Sequence, residues 1–247
     1  MTFSIDEVER YARHLVLREI GGAGQQQLKG ASVLIVGAGG LGAPAALYLA
    51  AAGIGRLGIA DADTVSLSNL QRQILYSHAD VGRPKVQVAA ARLSQINPHV
   101  VVEPIEAMVS EANARSVIGG YDLVLDGADN FASRFTVNAA CVALARTLVS
   151  GAIGRWTGQI GVFAGQPCYR CLAPETPPEE ETCAAVGVVG ALAGVVGAMM
   201  ALEAVKLITG AGEPLTGRLL IYNALAGETR TVRIGADADC VVCGKGR

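Results

Sequence analysis

Residues 32–42 read Ser32-Val-Leu-Ile-Val36-Gly37-Ala-Gly39-Gly40-Leu-Gly42, and their reading decides the fold. A short apolar run bounded by glycine predicts a buried strand, and the alanine-rich stretch that follows, to about Ala52, predicts a helix. Strand, glycine turn and helix in that order form the phosphate-binding start of a Rossmann-like sheet. The glycines permit a tight turn and bring the backbone N–H groups of the helix N-terminus up to an anion. Leu57 to Ala60 predicts the next strand. It ends at Asp61, about twenty residues past the glycines, where a carboxylate can accept hydrogen bonds from ribose hydroxyls.

Working outward, Pro84 to Ile96 reads as a helix with proline near its first turn. Val100 to Pro104 and Leu123 to Asp126 read as strands, and Phe131 to Ala145 as a helix behind Asp129-Asn130. Further strands cluster at Leu148 to Gly151, Thr157 to Phe163, Leu219 to Tyr222 and Thr229 to Ile234. Strand–helix alternation followed by hairpin-like strands predicts an α/β fold with a Rossmann-like mixed sheet, parallel in the N-terminal half and antiparallel in the C-terminal part. No repeat or linker divides residues 1–247, so one domain is expected. The loop-like stretch from Ala173 to Glu181 combines proline with acid, a composition that favours mobility.

Composition narrows the function. The chain of 247 residues is 51% hydrophobic with only 4% aromatic residues, enough for a sizeable core. A net charge of -2 gives no electrostatic footprint for nucleic acid or an anionic membrane. Met1 to Ile20 alternates charged and apolar residues at helical spacing, which fits neither a signal peptide nor an anchor. Cytoplasmic residence and reduced thiols are therefore expected.

Two Cys-x-x-Cys pairs, Cys168-Tyr-Arg-Cys171 and Cys240-Val-Val-Cys243, offer the four soft thiolates that a tetrahedral structural zinc requires. Their wide separation means that the metal would tie distant segments together. Four thiolates leave no open coordination position, so the chemistry must lie elsewhere. A redox pair or paired disulfides is the alternative. Ala184 to Leu202 carries no charge and is just long enough to span a bilayer. A span there would put the two cysteine pairs on opposite sides of the membrane, so the segment is expected to be a fully buried helix, approached closely by another helix and placed at a subunit interface.

A glycine turn alone serves NAD, FAD, nucleotides or plain packing. The residues after Asp61 shift the weight: Ser68-Asn69-Leu70-Gln71-Arg72, Gly82-Arg-Pro-Lys85 and Asp126-Gly-Ala-Asp129-Asn130 place cations and carboxylates near strand ends. A hydride-transfer site needs an apolar nicotinamide slot. Arg72 and Lys85 instead suit a triphosphate, and Asp129 suits its metal. Taken singly, Asp61 could cap a turn, Arg72 and Lys85 could be solvated charge, and Asn130 could be an N-cap.

The chain resembles the MoeB/ThiF family, bacterial relatives of ubiquitin-activating enzymes, over nearly its whole length. The resemblance rests on Arg10-Tyr-Ala-Arg13-His, the glycine loop, Ser68-Asn-Leu-Gln-Arg72-Gln, Arg83-Pro-Lys85, Asp129-Asn130, Cys168-Tyr-Arg-Cys171-Leu, Cys183 and Cys240-Val-Val-Cys243-Gly. It implies ATP- and magnesium-dependent adenylation of the C-terminal glycine of a small ubiquitin-like sulfur carrier ending in Gly-Gly, in molybdopterin or thiamine synthesis. A homodimer and a structural zinc are implied with it. By the same resemblance Arg13, Arg72 and Lys85 meet phosphate charge, Arg13 in the other subunit's site, and Asp129 takes magnesium. Asp61 holds the ribose, and Gly40, Ser68, Asn69, Leu70, Gln71 and Asn130 complete the nucleotide shell. Relatives commonly carry Cys-Thr where this chain has Gly127-Ala128; the metal-facing Asp129 is kept. No rhodanese-like extension follows Arg247, so a separate sulfur donor protein is expected.

The implied chemistry suits these residue types. A carboxylate must approach an anionic nucleotide, and at about 4 Å with an effective dielectric near 20 each like-charge contact opposes this by roughly 4 kcal/mol. Cations must cancel it. No general base is needed, because the nucleophile is already ionised, and none of His14, His78 or His99 stands at a convincing place. Cys141 lies in an apolar helix and reads as a small hydrophobe. Cys183 is a candidate for taking over the activated acyl or sulfur group. Two readings from other classes remain: an NAD-dependent oxidoreductase and a non-catalytic carrier-binding scaffold.

Overall fold

The structure is a computed structural model that describes residues 2–176 and 187–244. Eight strands form one sheet: β1 (Ser32–Val36), β2 (Arg56–Ala60), β3 (Val101–Ile105), β4 (Leu123–Asp126), β5 (Thr147–Gly154), β6 (Thr157–Phe163), β7 (Arg218–Asn223) and β8 (Glu228–Arg233). Their order is β3-β2-β1-β4-β5-β6-β7-β8. The first five run parallel; β5 to β8 pair antiparallel, β5–β6 and β7–β8 as hairpins and β6–β7 across the helix-bearing connection from Phe163 to Arg218. The mixed sheet read from the sequence is therefore present, with its change of sense at β5.

Helices cover both faces. α1 (Ile5–Arg10), α2 (Ala12–Leu15) and α3 (Gly21–Gly30) precede the sheet; α4 (Gly42–Ala52), α5 (Lys85–Ile96), α6 (Ala114–Gly119) and α7 (Phe131–Ala143) connect its parallel strands; α8 (Tyr169–Leu172) and α9 (Gly190–Thr209) follow. Every residue of β1 is buried, as a continuous apolar run between two neighbours demands. One core cluster lies on the side of α4, α5 and α9, and a second on the side of α6, α7 and α8. From the centre of the sheet the chain winds outward to β2 on one side and β4 on the other. The gap between β1 and β4 is the topological switch point, where open α/β sheets hold ligands at the C-terminal ends of their strands.

The apolar segment near residue 190 departs from expectation. The helix begins at Gly190, and Ala184 to Val186 lie outside the described residues. It is not fully buried. Leu192, Val196 and Met200 face the core, whereas Val195 and Leu202 are exposed, Leu202 at 59%. An apolar helix packs only the faces that neighbours cover, and α4 with β5 and β6 covers one. Small residues do permit a close approach there: a Cβ on Gly197 would stand 2.5 Å from the Leu41 carbonyl oxygen.

Candidate functional site

A cavity of 390 Å³ opens at the switch point, lined by the turn after β1, the ends of β2 and β4, the start of α5 and α7, and the β5–β6 hairpin. Its floor is the glycine turn. A Cβ on Gly42 would lie 1.8 Å from the Gly37 carbonyl oxygen, so only glycine lets α4 begin this close to β1. Gly39, Gly40 and Leu41, just ahead of α4, line the cavity, and the positive end of the helix dipole favours an anion there.

Asp61 ties the turn down. Its carboxylate accepts the Ala38 N–H at 2.8 Å and the Asp63 N–H at 2.8 Å, while it also lines the cavity. Tyr76 braces the same turn by donating its hydroxyl to the Ala38 carbonyl at 2.8 Å. Burial, with the charges of Asp61, Asp63 and Asp80, pushes the Tyr76 phenol far above its ordinary range, so it remains a donor.

Arg72 and Lys85 both line the cavity. Lys85 is 4% exposed and is no solvated surface charge. It pairs with Asp63 at 2.8 Å and approaches Asp61 at 3.9 Å. Arg72 lines the cavity, and its guanidinium Nη1 donates to the Ser68 carbonyl at 3.1 Å. Asp129 and Asn130 follow β4, and both line the cavity. Asn130 also serves as the N-cap of α7, accepting the Ser133 N–H at 2.9 Å. Capping and cavity lining coexist in that one side chain.

Gly40, Asp61, Arg72, Lys85, Asp129 and Asn130 are thus brought together. Ser68, Asn69, Leu70 and Gln71 are not: they form a short turn beside the cavity in which the Asn69 carboxamide accepts the Ser66 N–H at 3.2 Å. Arg13 is exposed on α2 and does not line the cavity of its own chain. Cys183 lies outside the described residues, as do residues 177–181 of the stretch from Ala173 to Glu181. No histidine lines the cavity; His14 shares a hydrogen bond with Gln25 at 2.9 Å instead.

Several lining residues escaped the sequence reading. Gln73 is 4% exposed beside the glycine turn, and its side-chain carbonyl oxygen has no hydrogen-bond partner among the described residues. Arg134 and Tyr169 form part of the wall, and Ala152, Gly154, Thr157 and Gln159 extend it along the β5–β6 hairpin. The motif after Arg72 offered a signal for Gln73; nothing local marked the others.

The four cysteines converge behind this wall. Cys168, Cys171, Cys240 and Cys243 place their sulfurs within 4.8 Å of one another. Cys168 and Cys240 are 3.7 Å apart, and Cys171 and Cys243 3.4 Å. A tetrahedron of zinc–sulfur bonds near 2.3 Å separates its sulfurs by about 3.8 Å, so the cluster fits that ion. It is the only group of three or more metal-capable side chains of this kind among the described residues. Asn138 links it to α7, donating to the Cys168 sulfur at 3.5 Å and accepting the Tyr169 N–H at 2.8 Å. Burial pushes the Cys141 thiol up to about 12, helped by Asp126, in keeping with an inert buried side chain.

Fold and site together define a Rossmann-like protein with a charged cavity at the switch point of its sheet, lined by Arg72, Lys85, Asp61, Asp63 and Asp129. The chain belongs to the ThiF family, which matches residues 11–242. It is 46% identical to the sulfur carrier protein adenylyltransferase of Thermus thermophilus, the match covering 99% of this chain and 93% of the relative. It is also 46% identical to the molybdopterin-synthase adenylyltransferase of Escherichia coli, over 98% of both chains. Among solved structures, Escherichia coli MccB with MccA-N7isoASN superposes with a TM-score of 0.85, covering 99% of this chain and 76% of that one; at 24% identity this likeness concerns the fold alone.

Proposed function

We propose that this protein is an adenylyltransferase that activates the C-terminal carboxylate of a ubiquitin-like sulfur carrier with ATP and magnesium, as a single domain over residues 1–247, in molybdopterin synthesis. One observation carries the reading: Arg72, Lys85 and Asp129 surround a single cavity at the N-terminus of α4. The full-length identity to adenylyltransferases supports it. Thiamine synthesis would use the same chemistry on another carrier.

The triphosphate lies over the glycine turn, with Asp61 toward the ribose and Arg72 and Lys85 against phosphate oxygens. Asp129 is the residue to hold magnesium. A carboxylate oxygen of the carrier attacks the α-phosphorus; the new O–P bond forms as the bond to the α,β-bridging oxygen breaks, and pyrophosphate leaves. The nucleophile arrives ionised, so no proton need be removed. Cations fixed in advance at the developing charge lower the barrier. The lobe along Ala152, Gly154 and Thr157 suits a glycine tail, which carries no Cβ to collide with a narrow wall.

Zinc held by the four thiolates would be structural and would supply no step. Its ligands are reduced thiols, which accords with a cytoplasmic setting. A homodimer fits the exposed apolar stripe of Val195 and Leu202 with neighbouring Tyr48 on α4, the last 61% exposed. It would also give Arg13 a role, since a residue outside its own cavity can serve the other subunit's. Sulfur would come from a separate donor protein. The test is release of pyrophosphate from ATP on adding a carrier ending in Gly-Gly; a non-catalytic scaffold would bind the carrier and release none.

A further inference from the structure

Arg134 is a buried charge that the chemistry above leaves unused; it is 6% exposed. It stands in the first turns of α7, and its guanidinium reaches three neighbouring segments. Nη1 donates to Asp126 Oδ2 at 3.3 Å and to Ser150 Oγ at 3.0 Å. Nη2 donates to the Gly151 carbonyl at 2.8 Å and to the Ala128 carbonyl. Ser150 Oγ donates to Asp126 Oδ2 at 3.1 Å, and Asp126 Oδ1 accepts the Ala128 N–H at 2.9 Å.

Ala128 is therefore gripped through both of its peptide groups: its N–H by Asp126, and its C=O by Arg134. The next residue is Asp129. Its carboxylate is exposed, and among the described residues its hydrogen bond is to the Asn130 amide at 3.1 Å, from a neighbour on the same turn. The point from which its side chain leaves the main chain is set by the backbone beneath it, and that backbone is held by Arg134 through the Ala128 carbonyl.

We infer that Arg134 is a positioning residue for Asp129, fixing the point at which Asp129 presents its carboxylate to magnesium. The inference rests on the proposed reading of Asp129 as the magnesium ligand. Arginine suits this task because its planar fork donates to several acceptors in fixed directions; a lysine ammonium keeps the charge but loses the fork. Arg134→Lys therefore separates geometry from charge, without stranding Asp126 as an unpaired buried carboxylate. Groups that orient a metal ligand typically govern metal affinity by 10–100-fold.

The experiment titrates magnesium in carrier-dependent ATP–pyrophosphate exchange for the parent, Arg134→Lys and Asp129→Ala. Arg134→Lys should raise the magnesium concentration for half-maximal exchange by about tenfold or more. At saturating magnesium its rate should return close to the parent's, and ATP affinity in EDTA, by calorimetry, should be unchanged. A parental magnesium midpoint in Arg134→Lys overturns the inference, whether or not the melting temperature falls. If Arg134→Lys does not fold, Ser150→Ala removes one partner of the fork and should shift the midpoint the same way; an unchanged midpoint there overturns it equally. Asp129→Ala separates the two levels. A parental rate and midpoint in that variant refutes the magnesium reading itself, whereas a shift in Asp129→Ala with none in Arg134→Lys refutes only the role given to Arg134.

Discussion

The ammonium of Lys85 sits 2.8 Å from the carboxylate of Asp63, and the pair spans the rim of the cavity, with Lys85 buried and Asp63 67% exposed. Lysine is thus held at the wall by a partner that water can readily solvate once a phosphate takes its place. Lys85→Ala and Arg72→Ala should each lower carrier-dependent ATP–pyrophosphate exchange by about a hundredfold, roughly 3 kcal/mol of charge stabilisation at the transition state. Circular dichroism should show both variants folded. Exchange at the parental rate in both would remove these residues from the site.

The glycine turn gives a steric prediction. Gly42→Ala sets a methyl group 1.8 Å from the Gly37 carbonyl oxygen, which backbone cannot accommodate without moving α4 away from β1. Nucleotide affinity measured by calorimetry should fall sharply, and the melting temperature should fall with it. Gly82→Ala is the control for glycine loss outside the cavity, since open space surrounds its Cβ position, although its positive φ adds some strain. Equal nucleotide affinity in parent and Gly42→Ala would show that the turn does not hold the phosphates.

Cys171→Ser and Cys243→Ser should cost stability far more than chemistry. A structural zinc contributes on the order of 10 kcal/mol, comparable to the net stability of a whole domain. Elemental analysis should find one zinc per parent chain and less in either variant. A metal-free protein melting at the parental temperature would refute a structural ion.

How much of this was legible in the sequence follows from how local each signal is. The turn from Gly37 to Gly42, the acids at the ends of β2 and β4, and both cysteine pairs are short-range patterns, and each lies where its pattern implied. Arg134 looked like any charge in a helix, because its partners Asp126, Ser150 and Gly151 meet it only when β4 and β5 pair. Tyr169 was hidden between two cysteines whose own role absorbed the reading. Ser68 to Gln71 stand close to Arg72 in sequence, yet they do not line the cavity, and the Ser68 carbonyl accepts the arginine's guanidinium. The exposed stripe of α9 was invisible because a segment apolar all round has no periodicity to say which face is covered.

Acid stability should follow two buried carboxylates. The Lys29 hydrogen bond holds Glu7 below its ordinary pKa, and the Ser77 hydrogen bonds, with Arg83, do the same for Asp80. A depressed carboxyl pKa means that the ionised form favours the fold. The contribution is whole at neutral pH, starts to fall below the unfolded values of 4.5 and 3.8, and is lost as pH drops through the folded values. Glu7→Gln and Asp80→Asn should flatten the acid limb of a plot of melting temperature against pH. An acid limb identical to the parent's in the double variant would mean that other groups control it.

The most direct measurement is the mass of a ubiquitin-like carrier after incubation with this protein, ATP and magnesium. Addition of one AMP to a carrier ending in Gly-Gly is predicted, with pyrophosphate released in equal amount, and no addition to a carrier whose last glycine is replaced by alanine. An unmodified carrier with ATP intact, under conditions where both are bound, would contradict adenylation as the activity of this cavity.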